Sequence, residues 1–161
     1  MSGAGAPIAG VPVVGARIAL VASMWHAVIM DGLIAGAERA CAQSQATATV
    51  IRTSGSFELP ILAKACALSG RFDAVVALGV IIRGGTPHFE YVCAAATSGL
   101  SDVALDTMIP VGFGLLTCDT EEQALTRAGL EGSREDKGAE ATWAALTSLA
   151  ALRALQCNVS A

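Results

Sequence analysis

The chain has 161 residues, of which 53% are hydrophobic and only 15% charged, with a formal net charge of -4 and a pI near 5.0. That length supports one domain with a real core and is short for two. The acidic balance, the absence of a Lys/Arg cluster and the scarcity of aromatic residues argue against a nucleic-acid footprint. No run of about 18 uncharged apolar residues is present to span a bilayer.

So apolar a small domain has more hydrophobic surface than it can hide, which predicts self-association and leaves small-molecule chemistry as the favoured class. Residues 1–15 are rich in Gly, Ala and Pro, with Val11, Val13 and Val14 near their end, and read as an extended arm able to lie along a neighbouring subunit. A single domain is expected over 16–157, followed by a short tail at 158–161.

Arg17 to Ala22 is strand-like, and Ala27 to about Ala46 is an Ala-rich helical stretch. Thr49 to Thr53 alternates as a strand, Gly55 makes a turn, and Leu59 to Ser69 reads as a helix with Pro60 in its first turn. Ala77 to Ile82 is a short apolar run with β-branched residues, the signature of a buried parallel strand. A helix from Pro87 to about Gly99 follows. Val111 to Thr117 is a further strand candidate, in which Gly112 and Gly114 weaken the pattern and can mark close approach of a ligand. Thr120-Glu121-Glu122-Gln123 forms a capping box opening a helix that Gly129 ends. A polar loop, Glu131 to Asp136, leads into a last long helix ending near Leu155. Strands alternating with helices imply an α/β fold with a parallel sheet covered on both faces.

The segment ALGVIIRGGTPHFEYV, Ala77 to Val92, carries the most chemistry. Gly84-Gly85 lets backbone N–H groups approach a ligand, Thr86 is a fair N-cap, and Pro87 suits the first helical position. An anion is favoured at such a helix start, and the same dipole keeps an imidazole at His88 neutral, fit for proton transfer. A glycine-rich turn that binds nothing is the plain alternative. Cys93, five residues on, lies about 140° around the helix from His88, so a Cys/His nucleophilic pair is not expected. Cys41, Cys66, Cys93, Cys118 and Cys157 form no CxxC pair, and the two histidines lack metal-ligand spacing with them. They read as buried thiols of a reducing cytosol, with no metal. The first residues hold no positively charged leader, so a cytoplasmic chain is expected, and the sequon Asn158-Val159-Ser160 is taken as chance.

Four segments, in order, resemble the lumazine synthase family: Gly55-Ser56-Phe57-Glu58-Leu59-Pro60, Ala77 to Val92, Thr120 to Gly129, and Asp136-Lys137-Gly138. The resemblance runs from about Arg17 to Leu155. It implies a flavodoxin-like three-layer α/β/α sandwich with a central four-stranded parallel sheet, whose N-terminal arm pairs with a neighbouring subunit in a homopentamer. The implied reaction condenses 5-amino-6-(D-ribitylamino)uracil with 3,4-dihydroxy-2-butanone 4-phosphate to 6,7-dimethyl-8-ribityllumazine, phosphate and water. This is the penultimate step of riboflavin biosynthesis and uses no cofactor; riboflavin synthase is an implied functional partner.

Carried residue by residue, the resemblance makes His88 the catalytic proton-transfer group. Trp25 stacks on the pyrimidine, and Glu58 accepts hydrogen bonds from ribityl hydroxyls. Backbone groups of Ser56, Phe57, Val80, Ile81 and Ile82 bind the ring, and Gly84, Gly85 and Thr86 hold the phosphate. Phe113 and Arg127 come from the neighbouring subunit, and Lys137 supports the site. Read by themselves, Trp25 can be a core residue, Glu58 a capping acid, Arg127 a dipole-compensating cation and Lys137 a salt-bridge partner. Two departures stand out. Cys118 replaces a threonine common in relatives. The six-residue loop Leu130 to Glu135 is longer than in capsid-forming relatives, which suggests an isolated pentamer. Rival readings are a non-catalytic flavin or lumazine carrier and a shell with a vestigial cleft. A flavodoxin fits poorly, because Ser23-Met24-Trp25-His26 lacks a phosphate cradle, and a receiver domain lacks its acidic pair.

Overall fold

Four strands build the sheet of the structure, a computed structural model that describes residues 11–159. They are β1 (Arg17–Ser23), β2 (Thr47–Thr53), β3 (Ala74–Ile82) and β4 (Val111–Cys118), all parallel and ordered β2-β1-β3-β4. Successive side chains of a strand point to opposite faces. Accordingly Ile18, Leu20, Ala22, Val76 and Leu78 enter one core, whereas Ala19, Val21, Val75 and Ala77 enter the other. The central strands read as unbroken apolar runs because helices cover both faces.

Helices α1 (Ala27–Gln43) and α5 (Lys137–Val159) pack on each other over the first core, and α2 (Leu59–Leu68) and α3 (His88–Thr107) cover the second. A short α4 (Glu121–Leu125) lies between β4 and α5. This is the three-layer α/β/α arrangement expected from the alternation of elements. Among the described residues no helix is long and apolar enough to cross a membrane.

Several boundaries differ from those the sequence suggests, for local reasons. α3 runs on past Gly99 to Thr107: a Cβ on Gly99 would sit 2.8 Å from the Pro60 Cβ, so this glycine seats α3 against α2 instead of ending it. Met108, in the left-handed region at φ 56°, caps the helix by donating its N–H to Ala104. α4 stops at Leu125, and Gly129 (φ +71°) instead turns the chain, its N–H donating to the Glu135 carbonyl at 3.1 Å. α1 ends at Gln43, where Ser44 and the left-handed Gln45 turn the chain into a β2 that begins at Thr47. β3 begins at Ala74, in register with Ile18.

Gly112 and Gly114 lie against neighbouring parts of the fold. A Cβ on Gly112 would collide with the Ala141 carbonyl, and one on Gly114 would lie 2.6 Å from Leu78 Cδ2, so these glycines let β4 accept α5. Gly138 does the same for α5 and α1, because its Cβ would strike the Leu33 carbonyl oxygen. Cys41 and Cys118 are buried in the first core and Cys66 in the second, but not all five thiols are buried as expected: Cys93 is half-buried on α3 and Cys157 is exposed near the end of α5. Burial pushes the Cys41 thiol up to about 11.

The end of the expected arm is tied to its own chain. Val13 is buried, its N–H donating to Ser44 at 2.8 Å, and the Gly15 N–H donates to Gln45 at 3.0 Å. Residues 1–10, and with them the expected pairing of the arm with a neighbour, lie outside the described residues, as do the last two residues of the expected tail.

Gly138→Ala is expected to lose about 1 to 3 kcal/mol of stability, the usual cost of overpacking, because the obstacle is backbone and cannot swing away. Gly84→Ala, where a Cβ meets nothing within 4 Å, should leave stability unchanged. Denaturant midpoints of the two variants check the contrast.

Candidate active site

The four strand ends on the carboxyl edge of the sheet carry most of the residues singled out from the sequence. With strand order β2-β1-β3-β4, the chain's direction of winding reverses between β1 and β3, the place where open parallel sheets take ligands. Trp25 follows β1, Ser56-Phe57-Glu58 form a 3₁₀ turn after β2, Arg83 to His88 follow β3, and Asp119 follows β4.

The strands end unevenly at this edge. Pairing of β1 with β3 stops at Ala22 and Leu78, whereas β3 pairs with β4 as far as Ile82 and Cys118. Beyond Leu78, one side of β3 therefore has no strand beside it. The backbone groups of a parallel strand face alternate sides residue by residue. The Arg83 N–H goes to Cys118 on the β4 side, and the Val80 carbonyl accepts the buried Ser56 hydroxyl at 3.2 Å on the other. Val80 and Ile82 thus face the open side, while the backbone of Ile81 is directed to β4.

Trp25 is 67% exposed and Phe57 60% exposed, so neither is a core residue. Gly55 brings Trp25 and Glu58 together: a Cβ there would sit 3.1 Å from Glu58 Oε2 and 3.8 Å from Trp25 Nε1. Glu58 precedes α2 but makes no side-chain capping bond, so the plain reading of a capping acid is not met. His26, left-handed at φ 56°, starts α1 and accepts the Met30 N–H on its carbonyl at 3.0 Å.

Past β3, Arg83, Gly84, Gly85, Thr86, Pro87 and Glu90 line an open depression of about 280 Å³. Pro87, not Thr86, occupies the cap position of α3, with no side-chain capping bond, and His88 is the first helical residue. The Thr86 hydroxyl is therefore not consumed by the helix. His88 is exposed beside this depression. The second carboxylate neighbour of the loop, Glu90, is held below the usual carboxylate range, chiefly by its hydrogen bond from Arg83.

Arg127 and Lys137 are joined to each other through the backbone after α4. The Arg127 carbonyl accepts the Lys137 N–H at 3.0 Å, Ala128 and Asp136 form an antiparallel bridge, and the Glu135 carbonyl closes the turn. The Asp136-Lys137-Gly138 motif is legible as a helix start. Asp136 Oδ1 accepts the Ala139 N–H at 2.9 Å, its Oδ2 accepts Arg39 at 2.8 Å, and Gly138 admits α1. Lys137, only 17% exposed in its side chain, pairs with Glu135 at 2.8 Å and Glu140 at 2.6 Å. Burial works against its charge, yet the two carboxylates win and hold its pKa above the ordinary value. The Arg127 guanidinium, in the turn after α4, donates to the Gln123 carbonyl at 2.7 Å and to the Thr126 hydroxyl at 3.3 Å.

Phe113 lies in the middle of β4, paired with Ala77, five ladder steps before Ile82. At about 3.3 Å per residue that is roughly 16 Å from the phosphate-loop end of its own sheet. It is 46% exposed on the edge strand, in a second depression shared with Leu100, Ala104 and Leu105 of α3. Within one chain, then, Trp25, Glu58, the β3 edge and the Gly84–His88 loop lie at one edge of the sheet, Phe113 lies well short of it along β4, and Arg127 is linked to it through Gln123 and Asp119. Sequence reasoning missed Arg83, Glu90 and Asp119, which clasp the loop. The signal available was a guanidinium adjoining a glycine pair with acids following both neighbouring elements. Among the described residues no group of His, Cys, Asp and Glu is arranged to hold a metal ion.

A family model described as 6,7-dimethyl-8-ribityllumazine synthase matches residues 15–153. Relatives carrying that name include one from Kineococcus radiotolerans, 60% identical over 154 residues that make up 95% of both chains. One from Kocuria rhizophila is 61% identical over 91% of this chain and 96% of its own. One from Leifsonia xyli is 61% identical over 97% and 99% respectively. With the match spanning nearly the whole fold and the carboxyl-edge cluster inside it, the chain belongs to the 6,7-dimethyl-8-ribityllumazine synthase family.

Proposed function

We propose that this chain condenses 5-amino-6-(D-ribitylamino)uracil with 3,4-dihydroxy-2-butanone 4-phosphate to form 6,7-dimethyl-8-ribityllumazine, with loss of phosphate and water, as the penultimate step of riboflavin biosynthesis. The observation that carries the reading is the run of β3 past its β1 partner into the Gly84–His88 loop. It sets a rigid backbone edge for a planar, hydrogen-bonding ring directly beside an amide-lined depression for an anion.

In this reading the Val80 and Ile82 backbone groups and those of Ser56 and Phe57 hold the pyrimidine. Trp25 covers it with an indole face, and Glu58 accepts the ribityl hydroxyls. Gly84, Gly85 and Thr86 hold the phosphate. His88, at the first helical position, takes and returns protons as the 5-amino group attacks the ketone and as phosphate leaves. Ring closure by the ribitylamino nitrogen then needs mainly two substrates held in register. No metal or organic cofactor enters the scheme.

Phe113 and Arg127 complete the site from the adjacent subunit, with Lys137 fixed behind Arg127. Support comes from the offset of Phe113 from the loop within one chain and from the exposed Phe57, Ile61, Tyr91, Leu105 and Phe113, an apolar surface suited to burial between subunits. The assembly is a homopentamer acting in the cytoplasm, with riboflavin synthase as its functional partner. The six-residue loop before Asp136 is braced by Ser133, whose hydroxyl accepts the Leu130 N–H at 3.1 Å and donates to the Leu125 carbonyl. That bracing favours an isolated pentamer over a shell.

His88→Ala should lower kcat by a factor of about a hundred to ten thousand, the range of general acid/base groups. Unchanged turnover of the two substrates, followed by lumazine absorbance, removes His88 from the reaction. Co-expressing His88→Ala with Arg127→Ala chains should restore activity in about one site in four, since random mixing places an intact loop against an intact arginine at that frequency. Mixed oligomers as inactive as either parent would mean that both groups act within one chain.

The Lys137 cluster sets a pH dependence of stability. Glu135 is held below its ordinary value of 4.5, first by Lys137, so its contribution is present above that pH and is lost as pH falls through and below it. Lys137, held above 10.5, keeps its contribution until pH rises past that value. Thermal unfolding of the wild type and of Lys137→Met should therefore differ at neutral pH and converge well below pH 4.5.

A further inference from the structure

Arg83 joins the end of β3 to the glycine pair, and its contacts tie three elements together. Its backbone N–H donates to Cys118 at 2.9 Å. Its Nε donates to Asp119 Oδ1 at 2.7 Å, its Nη1 pairs with Glu90 Oε1, and its guanidinium carbon lies 4.1 Å from the centroid of the Phe89 ring. A guanidinium that gives its fork to two carboxylates and its face to an aromatic ring has its charge doubly compensated. Such a group is poorly disposed to grip an anion and well disposed to hold a shape.

The shape at stake is the loop. Glu90 stands in the first turn of α3 and Asp119 just past β4, and the loop hangs between them with no packing of its own, because a Cβ on Gly84 or Gly85 would meet nothing within 4 Å. The Asp119 N–H donates to Gln123 Oε1 at 2.9 Å, and the Gln123 carbonyl accepts Arg127 Nη1 at 2.7 Å. One string of bonds therefore runs from α3 through Arg83 and Asp119 to the guanidinium of Arg127.

We propose that Arg83 is a positioning residue for the phosphate group: by tying the first turn of α3 to the end of β4 it sets the gap across which the Gly84 and Gly85 amides face an anion, without ligating that anion itself. The inference rests on the reading of this loop as the phosphate site.

Glu90→Gln and Asp119→Asn separate this role from a direct one, because the two make opposite predictions. Each variant removes a negative charge beside the anion and frees Arg83, so a ligating Arg83, or simple electrostatics, would tighten phosphate binding. A positioning Arg83 loosens it. Both carboxylates are more than half exposed, and exposed pairs contribute little to stability, so the variants should fold. In each, KM for the phosphate-bearing substrate is expected to rise about tenfold, with KM for the pyrimidine substrate and kcat within about twofold of wild type. The inhibition constant of inorganic phosphate should rise by the same factor as that KM. Arg83→Lys, which offers a point charge without the fork, should behave alike. Unchanged or tighter phosphate inhibition in the two carboxylate variants overturns the proposal, as does an equal rise in both KM values together with a lowered Tm. If inorganic phosphate fails to compete with the phosphate-bearing substrate in the wild type, the phosphate-site reading itself falls.

Discussion

Everything functional on this molecule depends on β3 being longer than its neighbour β1. Had the two ended together, Val80 and Ile82 would spend their backbone groups on a ladder and the following loop would open over a closed sheet. Because β4 escorts β3 to Ile82, the protruding segment is held on one side by regular hydrogen bonds and left available on the other. A backbone edge fixed in this way loses little freedom when a flat ligand docks, which is what positioning two substrates requires. The buried Ser56 hydroxyl on the Val80 carbonyl ties the turn after β2 to the same edge, so that Trp25, Glu58 and the loop share one frame.

A second constraint is the close approach of α5 to both α1 and β4. It is made by glycine at the points of contact, Gly138 against Leu33 and Gly112 against Ala141. The approach anchors the start of α5, where Asp136 caps the helix and Lys137 is sandwiched by carboxylates. Since the Lys137 N–H bonds the Arg127 carbonyl, the helix start also fixes the turn that presents Arg127. The charges of this region serve geometry before they serve affinity.

Much of the fold is legible in the sequence because the signals are local. Short apolar runs with β-branched residues mark β1, β3 and β4, and Thr120-Gln123 caps α4 as its spelling implies, the Thr120 hydroxyl accepting the Gln123 N–H at 3.3 Å. What misleads is glycine, whose local meaning is ambiguous. Gly99 looks like a stop and is a helix contact, Gly112 and Gly114 look like ligand sites and make room for packing, and Gly129 behaves as a turn. Of the site, Trp25, Glu58 and the Gly84–His88 loop fall together as their places at strand ends suggest. The Arg83 clasp is faint in the sequence because its partners, Glu90 and Asp119, come from separate elements, and the register of β3 against β4 is what brings Asp119 beside Arg83.

The distribution of thiols has a practical consequence. Cys41 lies under the α1–α5 layer and Cys66 under the α2–α3 layer, each reachable only when its own side of the sheet opens, while Cys157 is always available to an alkylating reagent. The chain thus carries a separate clock for each hydrophobic layer and an internal standard beside them. The order in which reagent consumes the three reports whether the sandwich breathes on both faces at once or sheds one covering of helices first.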